Sequence, residues 1–334
     1  MKTILVTGAN GFVGRHLCRR LADDGLVVLA GARRPEAANA LPRHIKTVSQ
    51  PDLDGHGDWR SILSGVDAVV HLASRDHFVG DGCHRGMSAF RRTNVEGTRR
   101  LTRACVEAGV ERLVYLSSIK AVGEGAEMDY RETTPCRPRS YYGQSKLEAE
   151  AALRETAQDR LETVILRPPL VYGPEVGKSF LRLMKIVRRR LPLPLGLVRN
   201  TRSMVYVGNL VDAIRICLTH SGAVGELFHV ADSEALSTPQ LVSELTRLQE
   251  HRLWLAPVPP GVLRLLAGLL GKGEEIESLI GSLTVCIDKI RNTLNWTPPF
   301  STMEALRATA AWFQESSTSS PRGDSWTDIG RRAA

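Results

Sequence analysis

Short apolar runs recur along the first half of the chain, and stretches with helical spacing separate them. The runs lie at residues 4–6, 27–30, 68–72, 113–116 and 164–166. Short continuous runs of this kind are typical of strands buried on both faces of a parallel sheet. Helical patterns follow position 14 and cover about 90–108 and 143–157. The alternation predicts an α/β fold, a doubly wound parallel sheet with helices on both faces.

The pattern changes after residue 167, where prolines interrupt the chain at positions 168, 169, 174, 192 and 194. A proline-rich, irregular segment is typical of a region that covers a substrate. Further strands are predicted at 204–207 and 227–230, a helix at 210–218, and helices over most of 238–313. We therefore predict a smaller, mostly helical C-terminal substrate-binding domain. The predicted division assigns 1–167 plus about 203–232 to the sheet domain, about 168–202 and 233–314 to the smaller domain, and 315–334 to a polar, disordered tail.

Composition and cysteine usage exclude several classes of protein. The hydrophobic fraction of 43% and the charged fraction of 24% are those of a globular protein. Six scattered cysteines without a C-x-x-C pair indicate neither a disulfide framework nor a zinc site, so we expect reduced thiols in the cytoplasm. His71, His77 and His84 have no supporting ligand pattern, and we predict no metal site. The longest apolar stretch, 257–270, is too short for a transmembrane segment.

The net charge of +8 raises the question of a nucleic-acid partner. The arginines are spread over many predicted helices, and only Arg188, Arg189 and Arg190 form a compact run. No helix-turn-helix or stacking-aromatic pattern accompanies them. We predict no nucleic-acid partner and interpret the charge as solvated helix faces that also attract a polyanionic small molecule.

Three glycines follow the first apolar run, in the spacing G-x-x-G-x-x-G. This spacing is one residue longer than the common dinucleotide fingerprint. A strand, a glycine turn and a helix N-terminus place bare amides and the positive end of the helix dipole where a pyrophosphate can bind. An ordinary tight turn is the alternative. The predicted dinucleotide-binding residues of this turn are Gly8, Gly11, Phe12, Val13 and Gly14.

Two arginines, Arg33 and Arg34, follow the second apolar run, where an NAD site usually carries an acidic residue for the ribose 2′-hydroxyl. A guanidinium group at this place can bind a 2′-phosphate in a bidentate manner, whereas a carboxylate would repel it. The pair predicts a preference for NADP(H), with NAD(H) as the alternative cofactor. Alternatively, both arginines are solvated loop residues.

Tyr142 and Lys146 lie four residues apart at a predicted helix start and therefore share one face. A nearby ammonium group favours the phenolate, so we expect a lowered tyrosine pKa and a proton donor or acceptor that works near neutral pH. Ser117 and Ser118 follow the strand predicted at 113–116. A hydroxyl group there can hold a substrate carbonyl or alcohol beside the tyrosine.

Together these stretches resemble the extended short-chain dehydrogenase/reductase family, which contains nucleotide-sugar epimerases, dehydratases and reductases. The matching stretches are TGANGFVG, PDLDG, VVHLAS, TNVEGT, LVYLSSIKAVGE, YYGQSK and LRPPLVYGP, in the family's order. The resemblance implies a Rossmann sheet, Tyr142 as catalytic acid/base, Lys146 as ribose ligand and pKa modifier, and Ser118 as the second catalytic hydroxyl. It also implies cofactor contacts at Asp52, Leu53, Leu72, Ala73, Asn94 and Pro169.

Finer features resemble the UDP-sugar 4-epimerase-like 4-ketoreductases of bacterial surface-polysaccharide pathways. These features are HLASR, SSIK, LPLPLG and NTRSMVYVGNLVDAI. The resemblance implies that Arg202 binds the nucleotide diphosphate and that 193–195 pack on the uracil. Ser179 departs from this branch, because many relatives carry asparagine there, and the chain lacks their long arginine-bearing insert after residue 226. The implied substrate-binding residues are Arg75, Ser118, Lys120, Tyr142, Ser179, Leu193 and Arg202.

The function implied by this resemblance is NADPH-dependent reduction of a 4-keto UDP-sugar at C4, of the UDP-4-keto-6-deoxy-N-acetylhexosamine type. A UDP-hexose 4-epimerase with tightly bound NAD is the alternative, and Arg33 and Arg34 favour the reductase. A non-catalytic dinucleotide-binding regulator is a second alternative, although it would not need serine, tyrosine and lysine together. A dehydratase is disfavoured because Ile119 and Lys120 follow Ser118 in place of an Asp-Glu pair. A homodimer is the assembly that we consider.

Overall fold

The computed structural model describes residues 2–34, 41–42, 44–55, 57–76, 86–125 and 129–318. Its strands are β1 (Thr3–Thr7), β2 (Val27–Ala32), β3 (Lys46–Ser49), β4 (Ala68–His71), β5 (Arg112–Leu116), β6 (Glu162–Arg167), β7 (Leu170–Tyr172), β8 (Met204–Tyr206) and β9 (Leu227–His229). Seven of them form one parallel sheet in the order β3-β2-β1-β4-β5-β6-β9, and β7 pairs with β8 in a second sheet. The predicted doubly wound parallel sheet is confirmed.

Helices cover both faces of the large sheet and form most of the C-terminal part. They are α1 (Phe12–Asp23), α2 (Arg60–Leu63), α3 (Met87–Phe90), α4 (Gly97–Ala108), α5 (Tyr141–Ala157), α6 (Lys178–Arg188), α7 (Val207–Thr219), α8 (Thr238–Leu248), α9 (Pro260–Leu269), α10 (Gly273–Ile280), α11 (Asp288–Leu294) and α12 (Thr302–Thr318). None of the helices in the described residues is long and apolar enough to cross a membrane. The predicted helical C-terminal region is confirmed.

The core of the large sheet follows the twofold alternation of its strands. In β1, Ile4 and Val6 belong to a cluster that packs with α1 and α7, whereas Leu5 belongs to a cluster on the opposite face with α4 and α5. Successive side chains of a strand point to opposite faces, so one continuous apolar run fills both layers. A third cluster, which includes Phe180, joins α6, α8 and α12 in the C-terminal part.

Several elements differ from the sequence-based predictions. The edge strand β3 has the half-polar sequence KTVS and β7 is only three residues long, so neither produced an apolar run of the expected kind. The helix predicted over 90–108 is divided, because a π-helix at Arg91–Glu96 separates α3 from α4. Residues 315–318, which the sequence analysis assigned to a disordered tail, belong to α12. Residues 319–334 lie outside the described part.

Candidate active site

The predicted site residues follow the carboxyl ends of the parallel strands. Ligands of doubly wound sheets bind at this edge, at the point where the strand order reverses, which here lies between β1 and β4. The fold therefore gathers loops from distant parts of the chain around one crevice. Gly8 follows β1, Arg33 and Arg34 follow β2, Asp52 and Leu53 follow β3, Leu72 and Ala73 follow β4, Ser118 follows β5, and Pro169 follows β6.

The turn after β1 has no room for a Cβ atom at Gly8 or Gly14. Gly8 has a φ of +69°, and a Cβ atom there would lie 2.9 Å from the Ala73 nitrogen. A Cβ on Gly14 would lie 2.7 Å from the Ala9 Cα, because α1 packs directly on the turn. Helix α1 begins at Phe12, earlier than predicted. Its N-cap residue is Gly11, which has no side chain that could cap the first amides. This bare cradle fits the pyrophosphate of a dinucleotide.

The far end of the crevice carries the two arginines and the predicted adenine contacts. Arg33 and Arg34 are both exposed, as is Asp52. Leu53 is buried among core residues, and its side chain packs against Gly97 of α4. A residue that the sequence analysis missed, Gln50, accepts a hydrogen bond from the Gly8 amide at 3.0 Å and thereby joins the β3 loop to the glycine turn.

Helix α5 brings Tyr142 to the end of β5. Its first turn packs so closely on the turn after β5 that a Cβ on Gly143 would collide with the Lys120 carbonyl. The Ser140 hydroxyl caps the helix by accepting a hydrogen bond from the Gly143 amide at 3.1 Å. Tyr142 is half-buried, and its phenol is hydrogen-bonded to the Ser118 hydroxyl. The structure therefore places these two predicted residues in contact.

Lys146 lies one turn further along α5 and is 1% exposed. Its ammonium group donates a hydrogen bond to the Leu116 carbonyl at 2.6 Å and lies 4.3 Å from the centre of the Tyr115 ring. Burial lowers the pKa of Lys146 to about 7, while Glu150 opposes this change.

The expected lowering of the Tyr142 pKa is wrong for this structure. Burial raises the pKa of Tyr142 to about 12, and only its hydrogen bond with Ser118 acts in the opposite direction. Sequence spacing places the ammonium group on the same helix face but cannot show how deeply the phenol is buried. At neutral pH the phenol is therefore protonated.

A polar network connects this helix to the centre of the sheet. Asn94, in the π-helix, donates hydrogen bonds to the Arg75 carbonyl at 3.0 Å and to the Ser145 hydroxyl at 2.9 Å. The His71 ring nitrogens contact the hydroxyl groups of Thr7 and Thr98, and burial followed by the Lys146 charge lowers the pKa of His71 to about 3. No metal-binding cluster occurs in the described residues. His77 and His84 lie outside them.

The neighbouring hydroxyl, Ser117, has a different partner. It donates a hydrogen bond to Glu150, which also accepts two from Arg167, at 2.9 and 2.6 Å. The Glu150 and Arg167 side chains are almost fully buried. This arrangement commits Ser117 to the ion pair and leaves Ser118 for Tyr142. The sequence analysis missed Glu150, although it follows Lys146 by four residues and the helical period could have indicated it.

Removing Glu150 is expected to destabilise the fold strongly. Glu150→Ala leaves the Arg167 charge buried without its carboxylate, and we expect the free energy of unfolding to fall by about 3–5 kcal/mol. The exposed pair of Glu111 with Lys2 provides the matched control, so Glu111→Ala should change stability by less than about 1 kcal/mol. Urea unfolding followed by circular dichroism measures both. Equal losses in the two variants would contradict the assigned role of the buried pair.

The predicted substrate-binding residues differ in their contacts and exposure. The Arg75 side chain lies 3.3 Å from the Thr93 hydroxyl and 3.4 Å from the Asp54 carboxylate. Arg202 donates a hydrogen bond to the Gly281 carbonyl at 2.8 Å, and burial lowers its pKa. Of the other predicted contacts, Ser179 is exposed in the first turn of α6, whereas Lys120 and Leu193 are half-buried.

Comparison with known proteins finds relatives that match over most of the chain. The chain is 35% identical to UDP-glucose 4-epimerase of Vibrio cholerae over 93% of this chain and 95% of that protein. It is 27% identical to N-acetyl-alpha-D-glucosaminyl-diphospho-ditrans,octacis-undecaprenol 4-epimerase of Escherichia coli O157:H7, over 83% of each chain. Both relatives act on C4 of a sugar diphosphate, according to their names.

Solved structures show the same architecture. MoeE5 in complex with UDP-glucuronic acid and NAD matches with a TM-score of 0.75 and 27% identity, over 94% of this chain and 99% of that chain. UDP-glucuronic acid 4-epimerase of Bacillus cereus in complex with NAD matches with a TM-score of 0.76 and 21% identity, over the same shares. The model of the NAD dependent epimerase/dehydratase family matches residues 4–231. The chain is therefore an oxidoreductase-type enzyme that belongs to the NAD dependent epimerase/dehydratase family.

Proposed function

We propose that this protein reduces the C4 carbonyl of a 4-keto UDP-sugar, with Tyr142 as the proton donor and Ser118 as the hydroxyl that orients the carbonyl oxygen. The observation that carries the proposal is the hydrogen-bonded pair of Ser118 and Tyr142 at the carboxyl edge of the sheet, with Lys146 one turn away. Tyrosine beside a second hydroxyl can hold an oxygen atom and protonate it in one arrangement.

Tyr142 carries the proton that reduction requires. A raised pKa keeps the proton on the phenol at neutral pH, which is the form that can donate it to the developing C4 alkoxide. An epimerase would use the same phenol in both directions, first removing a proton from the C4 hydroxyl and then returning one to the 4-keto sugar. When bound, the nicotinamide cofactor supplies the hydride to C4. Lys146 would bind the cofactor ribose and place positive charge beside the phenol.

NADP(H) is the cofactor that we propose, and its support comes from the second strand. Arg33 and Arg34 follow β2 directly and are exposed, so both guanidinium groups are accessible to a 2′-phosphate. Gly8, Gly11 and the first amides of α1 would hold the pyrophosphate.

A UDP-hexose 4-epimerase with tightly bound NAD is the second candidate function. The names of the relatives favour it, since the Vibrio cholerae protein is a UDP-glucose 4-epimerase and the complex of MoeE5 contains NAD. The two candidates use the same tyrosine, serine and lysine. They differ in whether cofactor is consumed.

Cofactor mass balance distinguishes the two functions. We expect a 4-keto-6-deoxy UDP-N-acetylhexosamine to oxidise NADPH in a one-to-one ratio, measured by absorbance at the nicotinamide band and by product chromatography. We also expect the purified protein to contain little nicotinamide and to interconvert UDP-glucose and UDP-galactose slowly. Rapid interconversion by protein that carries tightly bound NAD would replace the reductase with the epimerase.

A further inference from the structure

Helix α9 has an unusual outward face. Val262, Leu265, Leu266, Leu269 and the following Leu270 are all exposed, with 65% exposure at Leu265 and 77% at Leu269. Their spacing of three and four residues puts them on one side of the helix. A helix on the surface of a globular protein normally presents polar residues there, whereas α9 directs Leu263 into the core and its leucine stripe outward.

Two further apolar residues are exposed, one in the segment before α9 and one in the loop that pairs with that segment. Trp254 is 65% exposed in the segment that leads into α9. That segment pairs with the loop after α6, since the Leu193 amide donates a hydrogen bond to the Trp254 carbonyl at 3.0 Å. Leu191, in the same loop, is also exposed. A row of exposed apolar residues such as that of α9 marks an interaction surface.

Positive charge accompanies the apolar residues. Residues 176–211 and 251–272, which contain the loop, the Trp254 segment and α9, have no aspartate or glutamate. In neighbouring α10, the Glu275 carboxylate pairs with Arg182 and the Glu277 carboxylate pairs with Arg264. The exposed cations of the two segments include Arg188, Arg189, Arg190, Arg252 and Lys272.

We propose that the outward face of α9, together with Trp254 and the basic loop after α6, binds peripherally to an anionic lipid bilayer. A leucine stripe enters the boundary between headgroups and acyl chains, a tryptophan lies at the interface, and arginines contact the headgroup phosphates. Because these two stretches contain no acidic residue, the surface carries positive charge, which anionic lipids attract. A bilayer accepts apolar and cationic groups side by side. If two copies of this face met, the cations of one copy would repel those of the other.

Vesicle sedimentation tests this contact without reference to catalysis. We expect the full chain to sediment with vesicles that contain phosphatidylglycerol, and to bind pure phosphatidylcholine vesicles at least about fivefold less, with a further loss at high salt. Leu265→Asp combined with Leu269→Asp should reduce the bound fraction at least about fivefold. Because both side chains are exposed, circular dichroism and cofactor binding should be unchanged. Val224→Asp, at an exposed apolar residue elsewhere, is the control and should bind normally.

The charged part of the surface has its own variant. Arg252→Glu should weaken binding to phosphatidylglycerol vesicles, whereas Arg160→Glu, at an exposed arginine before β6, should not. Failure of the full chain to bind phosphatidylglycerol vesicles at low salt would overturn the proposal. A dimer in sedimentation equilibrium that the double aspartate variant dissociates would assign the face to a second copy instead. Vesicle binding that appears only after residues 319–334 are removed would assign the face to the chain's own C-terminus.

Discussion

Tyr142→Phe is expected to abolish turnover while leaving the fold and the cofactor affinity nearly unchanged. The substitution removes one hydroxyl group, the proposed proton donor, which is hydrogen-bonded to Ser118. General acid–base groups contribute about 10²- to 10⁴-fold to the rate, so we expect a loss of at least about 100-fold in kcat. Steady-state kinetics measure the loss, and cofactor titration together with circular dichroism measures what is retained.

The neighbouring tyrosine provides the matched control for this variant. Tyr141 begins the same helix but is 52% exposed, so Tyr141→Phe removes an identical hydroxyl from a position that faces solvent. It should retain nearly full activity. Our assignment of the proton donor is wrong if Tyr142→Phe keeps more than about a tenth of the parent activity, or if the two variants lose activity equally.

The sequence predicted the central strands of the large sheet better than the edge strand β3. Strands such as β1 and β6 are buried on both faces along their central residues, so each contains a continuous apolar run there. The edge strand β3 is covered on fewer sides and tolerates lysine and serine, which removes that signal. The π-helix before α4 was not predicted, because six residues with i→i+5 hydrogen bonds are too short a stretch for apolar spacing to distinguish from an α-helix.

In the candidate site, the sequence predicted which residues share one helix face but not the contacts between different elements. Helical spacing alone places Tyr142 and Lys146 on one face, and the structure brings that face to the end of β5. The choice between Ser117 and Ser118, which the sequence made only by resemblance, depends on the buried pair of Glu150 with Arg167. Arg167 follows Glu150 by seventeen residues on another element, so no local pattern reveals that contact. The direction of the tyrosine pKa likewise depends on burial, which is a tertiary property.

Arg33→Asp is expected to weaken NADPH binding by about 2–4 kcal/mol, through the loss of a charge-assisted contact to the 2′-phosphate and the repulsion that a carboxylate adds. This free energy corresponds to about a 30- to 1,000-fold rise in Kd. NADH has a hydroxyl group in place of that phosphate, so its Kd should change far less. Arg33→Ala separates the two contributions, because it removes the contact and adds no negative charge.

The selectivity of this effect matters more than its size. Replacing any exposed arginine by aspartate lowers the positive field of the protein and weakens the binding of anions slightly, whichever nucleotide is offered. Arg160→Asp measures that general effect, since Arg160 is exposed and precedes β6, at the edge of the sheet opposite the crevice. Isothermal titration of both cofactors into the three variants gives the ratio of NADPH to NADH affinity directly. A ratio that falls in Arg33→Asp and stays constant in Arg160→Asp places the 2′-phosphate at the end of β2. Equal losses for the two cofactors in Arg33→Asp would remove the basis for an NADPH-consuming reductase and favour the NAD-bound epimerase.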